Sequence, residues 1–129
     1  MFELFGLTVL EETGVLPASS LVPGETVAIQ DGSGEQLCSV AVRQHQLVDL
    51  GYADRPFNRR RLIGHRMHLD VSDPATEAAV KAGLQLGARV QISASVPFPP
   101  LAVVNVQDPA TIIVDGRPVK RCDVLFRPA

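Results

Sequence analysis

Apolar and polar residues alternate in steps of two along most of this chain. Residues 2–10 are a run of β-forming types, and after a Pro/Ser loop over 17–20 the alternation resumes over 25–30. Asp31-Gly32-Ser33-Gly34 then reads as a hairpin turn, because glycine supplies the positive φ such turns need. The return strand starts near Gln36 and sets Cys38, Val40 and Val42 on one face. After Val42 the alternation slips, with Leu47, Val48 and Leu50 crossing faces, as a bulge or a strand end would produce. Residues 51–60 carry turn types without a period and read as a loop.

The alternation over 61–71 is clean, with Ile63, His65, Met67, Leu69 and Val71 on one side. From Arg89, the residues Val90, Ile92, Ala94 and Val96 face inward until Pro97, Pro99 and Pro100 end the strand or place it on an edge. Residues 101–106, 111–114 and 118–126 read as further strands, turned by Gln107-Asp108-Pro109 and Asp115-Gly116. A single helix interrupts this series. Asp73-Pro74 supplies an N-cap carboxylate and a proline at the first helical position, 75–86 is rich in alanine, and Gly87 reads as the stop. Gly83 inside it costs about 1 kcal/mol relative to alanine, so the helix is short. The expectation is a mainly β domain over 1–129. It is a small barrel, SH3-like or otherwise closed or partly open, of 7–8 short strands, with one helix near 74–86. Its expected core is Val27, Ile29, Val40, Val42, Ile63, Met67, Leu69, Val90, Ile92, Val124 and Phe126. Met1 to Phe5 and Val124 to Phe126 are expected as edge strands open to pairing.

Residues 21–29 and 84–92 share the pattern L-x-x-G-x-x-V-x-I. Glycine there lets the chain swing into a strand whose Val and Ile point inward, while the leucine plugs the barrel end. Coincidence and a true repeat both account for it. With the helix before it and the Pro-Phe-Pro-Pro after it, the second copy resembles the SH3-like domains of ferrous-iron transport accessory proteins over about 76–98. The resemblance implies a small barrel, and the turns that follow depart from the pattern.

An apolar fraction of 46% with 20% charged residues fills a core and excludes wholesale disorder. The net charge of −2 means that a nucleic-acid role requires a local basic patch. The residues 55–61, Arg-Pro-Phe-Asn-Arg-Arg-Arg, followed by His65, Arg66 and His68, supply such a patch. Arg55, Arg59, Arg60, Arg61 and Arg66 fit phosphates, and Phe57 fits a stacked base. The same arginines fit an acidic surface on a protein partner.

Other chemistry is poorly supplied. His65 and His68 point to opposite faces of an extended strand, and Arg66 between His68 and its neighbours repels a cation, so no metal or cofactor is expected. His65 on the apolar face reads as a hydrogen-bonded core histidine. His45 lies an odd number of residues beyond Cys38, which places it on the other face and denies that thiol a base. Cys38 and Cys122 read as buried, reduced thiols. Asp70-Val71-Ser72 resembles half of a cyclic-dinucleotide-binding signature, with Ala75 where its closing glycine belongs. No catalytic residue is assigned. With no leader or membrane-spanning run, the chain reads as cytoplasmic, or as part of a particle assembled there. The leading expectation is a non-catalytic binding and assembly module. It acts through protein contacts, copies of itself included, as a subunit of a larger assembly such as a viral particle. The alternatives are a nucleic-acid-binding domain using 55–68, and a small enzyme with an unrecognised site around His45 and His68.

Overall fold

A computed structural model describes residues 21–52 and 61–129. Seven strands are described: β1 (Glu25–Asp31), β2 (Gln36–Tyr52), β3 (Arg61–Asp70), β4 (Arg89–Ser93), β5 (Leu101–Val106), β6 (Ala110–Val114) and β7 (Arg117–Pro128). Every pairing is antiparallel. Six strands close a barrel in the order β1-β2-β3-β7-β5-β4, with β4 returning to β1, and β6 is attached outside it on β7. The expected small closed barrel with one helix is therefore the observed fold. The expected strand over 2–10 lies outside the described residues.

The turns form for the reasons the sequence supplies. Asp31 Oδ1 accepts hydrogen bonds from the Ser33 and Glu35 amides and the Ser33 hydroxyl, which ties the β1–β2 hairpin. Asp115 and Gly116 both take positive φ, 51° and 76°, the two-residue geometry that suits the twist of the β6–β7 hairpin. Helix α1 (Pro74–Gly83) begins on Asp73, whose carboxylate accepts from the Thr76 amide. It ends three residues earlier than the alanine run suggests. Gly83 lies against Leu37 rather than in the helix interior, and Leu84 leaves the helix to become 2% exposed at the barrel end. Burial of that leucine outweighs continued helix.

The slip after Val42 is a bulge, and the strand continues through it to Tyr52. Residues 51 and 52 are thus strand rather than loop. Past His65, which still pairs with Phe126 of β7, the β2 and β3 strands continue as a two-stranded ribbon beyond the barrel wall. Gly64 sits where this ribbon leaves. A Cβ there would lie 2.8 Å from both the Phe126 carbonyl oxygen and a Leu50 methyl, so only glycine allows the close approach.

The core is one contiguous cluster running from Leu21 to Phe126, and it contains every residue expected there except Ile63. Ile63 is only half-buried because it pairs with Asp49 on the ribbon, where no third strand among the described residues covers it. Ala94 and Val96 pack on the core without belonging to a strand, since β4 ends at Ser93. Val124 to Phe126 is no edge: it lies between β3 and β5 and cannot pair with another chain. Met1 to Phe5 lies outside the described residues.

The two L-x-x-G-x-x-V-x-I segments are neighbours in the barrel wall. Ile29 pairs with Ile92 across the antiparallel β1–β4 seam. Gly24 and Gly87 take φ of 90° and 81°, and their amides donate to Val42 and Val103 on the following strands. Leu21 and Leu84 are both buried, and because their strands run antiparallel they sit at opposite ends of the barrel.

Candidate functional site

The basic segment divides at the boundary of the described residues. Arg55, Phe57, Arg59 and Arg60 lie outside them. Arg61 opens β3, and its guanidinium donates to Asp49 across the ribbon at 2.5 and 2.9 Å. Arg66 is half-buried on the outer face of the barrel, opposite Gln46 and Leu125. Along the same wall Arg43 is paired with Asp70 at 2.6 Å and Arg121 lies 3.5 Å from Asp123. The basic side chains Arg43, Arg61 and Arg121 on this wall and its ribbon thus face carboxylates.

His68 shares that outer face and is 8% exposed. Its Nε2 lies 3.6 Å from Asp123, and its Nδ1 is buried without a hydrogen-bond partner among the described residues. Burial lowers its pKa, Asp123 opposes that shift, and Arg121 and Arg66 add to it. His68 is therefore held neutral.

The opposite face holds an arrangement that simple counting along the strand misses. The bulge after Val42 shifts the alternation by one, so His45 turns inward, onto the face that Cys38 occupies rather than the other one. There His45 stacks on His65 with ring centroids 5.2 Å apart, and Phe98 closes on both rings at 5.5 and 5.1 Å. The Leu21 amide donates to His45 Nδ1 at 3.1 Å, which leaves Nε2 to carry the proton of the neutral ring. His45 Nε2–H then donates to His65 Nδ1 at 2.9 Å, and His65 in turn carries its proton on Nε2. Burial pushes the His45 pKa down, and burial together with His45 pushes His65 down to about 4. His65 is the hydrogen-bonded core histidine the sequence suggested, and the bulge supplies its partner.

Among the described residues neither thiol bonds to this pair: the hydrogen-bond partners of His45 are Leu21 and His65. Cys38 and Cys122 are both free and buried, and desolvation raises both thiol pKa values. Cys122 donates to the Gln107 carbonyl at 3.3 Å on the floor of a cleft of about 150 Å³ between α1 and the β5–β6 turn. Among the described residues no three His, Cys, Asp or Glu side chains are grouped to hold a metal ion. No described helix is long and apolar enough to cross a membrane.

The remaining feature is an edge. Among the described residues β6 pairs with β7 alone. Val114 and Arg117 flank the two-residue turn as a hydrogen-bonded pair, and alternate positions repeat that pattern along the hairpin. Thr111 and Ile113 therefore turn their N–H and C=O groups away from β7. Residues 110–114 carry no charge and no proline, and Ile113 is 70% exposed. No protein-family model matches the chain, and no curated protein matches it either.

Proposed function

We propose that this barrel is a non-catalytic binding and assembly module that works through protein–protein contacts, with copies of itself among its partners. The open β6 edge carries the reading. An uncharged, β-branched edge strand whose two outward-facing residues are unpaired among the described residues is a template for strand addition, a liability in a protein that works alone. Two copies meeting antiparallel about Ile112 set each Thr111 opposite Ile113 of the other copy, which satisfies four backbone hydrogen bonds. An edge this short gives weak pairing by itself and suits a subunit held at several contacts in a larger assembly, such as a viral particle.

Carboxylates opposite Arg43, Arg61 and Arg121 favour protein contact over a phosphate grip, because phosphates would have to displace them. Light scattering across a concentration series tests the reading. The wild type should gain mass with concentration, and Ile113→Lys should remain at the monomer mass, with unchanged folding because the side chain is exposed. A wild type that stays monomeric and binds nucleic acid tightly, with a steep loss of affinity in salt, overturns it.

A further inference from the structure

We propose that the His45–His65 pair is an acid-operated latch that holds the Leu21 backbone to the end of the barrel. The latch is independent of the assembly reading and follows from a count of lone pairs. A neutral imidazole has one acceptor nitrogen. That of His45 accepts from the Leu21 amide, and that of His65 accepts from His45 Nε2–H. Neither ring has a lone pair to spare. A proton entering either ring must break one of the two hydrogen bonds.

Among the described residues the surroundings offer the charged form no compensation. From β2 the pair is approached by Leu47, which lies opposite His65, and from β3 by Met67, which lies opposite His45. From β7 comes Phe126, from the β4–β5 connection Phe98, and from the chain entering β1 Leu21 itself. All are apolar. The charged side chains of those elements are engaged elsewhere or turned out: Glu25 accepts from Ser95, Asp49 from Arg61, and Arg127 donates to the Pro128 carbonyl. Arg66 and His68 stand on the outer face. Among the described residues, the titratable group acting on His65 is His45, whose own proton repels a second.

Proton uptake thus relieves itself by opening the pair. His45 turns away from the Leu21 amide, and the leucine that plugs this end of the barrel loses its anchor. The twin position gives an internal control. The Leu84 amide donates to the Val80 carbonyl, which does not titrate.

Amide exchange and nitrogen shifts measured by NMR on the full chain test this directly. At about pH 7 long-range imidazole spectra should show His45 and His65 neutral, both with the proton on Nε2. Between about pH 7 and 4.5, Leu21 protection should fall by about tenfold or more, while Leu84 protection changes less than about twofold. His45→Gln should remove the pH response at Leu21, and His68→Gln, altering a ring on the outer face, should leave it. An Nδ1–H tautomer of His45 at neutral pH overturns the latch. So does a Leu21 amide that exchanges freely at pH 7, or a response that tracks His68 instead. The wild-type spectra decide the matter even where His45→Gln fails to fold.

Discussion

The barrel leads into its first and fourth strands through the same L-x-x-G-x-x-V-x-I pattern, yet its two ends are finished with different chemistry. At one end Leu84 follows α1, its amide donates to a backbone carbonyl, and Val80 and Leu84 fill the opening. Outside that plug Glu77 accepts from Lys120 and lies 3.3 Å from Lys81, so the charges remain at the surface. At the other end Leu21 occupies the matching position, but its amide donates to a histidine ring, and two imidazoles with Phe98 stand where the helix stands opposite. Equivalent leucines, equally buried, thus rest on a fixed acceptor and on a titratable one. Local sequence decides which: a capped, alanine-rich helix before the second copy, and a bulge that turns His45 inward beside the first.

The largest effect should come from the leucines themselves. Leu84→Ala and Leu21→Ala each remove a buried side chain, and each should cost about 2–5 kcal/mol in denaturant unfolding at neutral pH. The contrast between the ends grows as the pH falls. Leu84→Ala should lose stability in parallel with wild type, whereas the gap between Leu21→Ala and wild type should narrow as the latch opens. A constant gap for both would mean that the two ends do not differ.

The next effect is the pH dependence of wild-type stability. His65 is held near 4 in the fold against about 6.5 in an unfolded chain, so the unfolded state binds the proton first as pH falls. Its contribution is complete above 6.5 and is lost as pH descends toward 4. His45 shifts in the same direction. Carboxylates such as Glu25, Asp49 and Glu77 are also lowered, but their contributions are lost only as pH falls below the ordinary carboxylate range near 4. Among the described groups the histidines therefore act alone between about pH 7 and 5, where unfolding free energy should fall by about 2 kcal/mol from His65. His65→Leu should flatten that slope. Stability unchanged across the window would mean that the pair is already open at neutral pH.

The strands are legible in the sequence because their alternation is strong and their turns carry glycine, proline and aspartate where the backbone needs them. Asp31 with Gly34 (φ 94°), Asp115-Gly116 and the Asp73-Pro74 helix start all form as their residue types dictate. The candidate site is legible in one half only. His65 follows from its apolar face. Period-two counting from Cys38 sends His45 to the wrong face because it fails across a bulge, even though the slip marking that bulge is visible after Val42. Carrying the count through it with one residue added turns His45 inward. Ile63 departs from expectation for a different reason: alternation says which way a side chain points, and the covering strand is set by tertiary pairing that the local pattern does not contain. Alanine content overruns the helix end because it favours continuation, while burial of Leu84 stops it.

The smallest effect tests whether the two ends are energetically separate. Asp73 caps α1 by accepting from the Thr76 amide and hydroxyl, at 3.0 and 3.1 Å, and its loss leaves an orphan donor at the helix start. Asp73→Ala should cost about 1 kcal/mol, with the damage confined to the helix end. Protection of the helical amides and of Leu84 should fall. Leu21 should keep its protection, because its acceptor is on β2 and no partner of Asp73 reaches the histidine pair. A double variant with Leu21→Ala should then lose the sum of the two single losses to within about 0.5 kcal/mol. Coupling beyond that would show the barrel opening at both ends together, and would make the pH response at Leu21 a report on the whole fold rather than on one end.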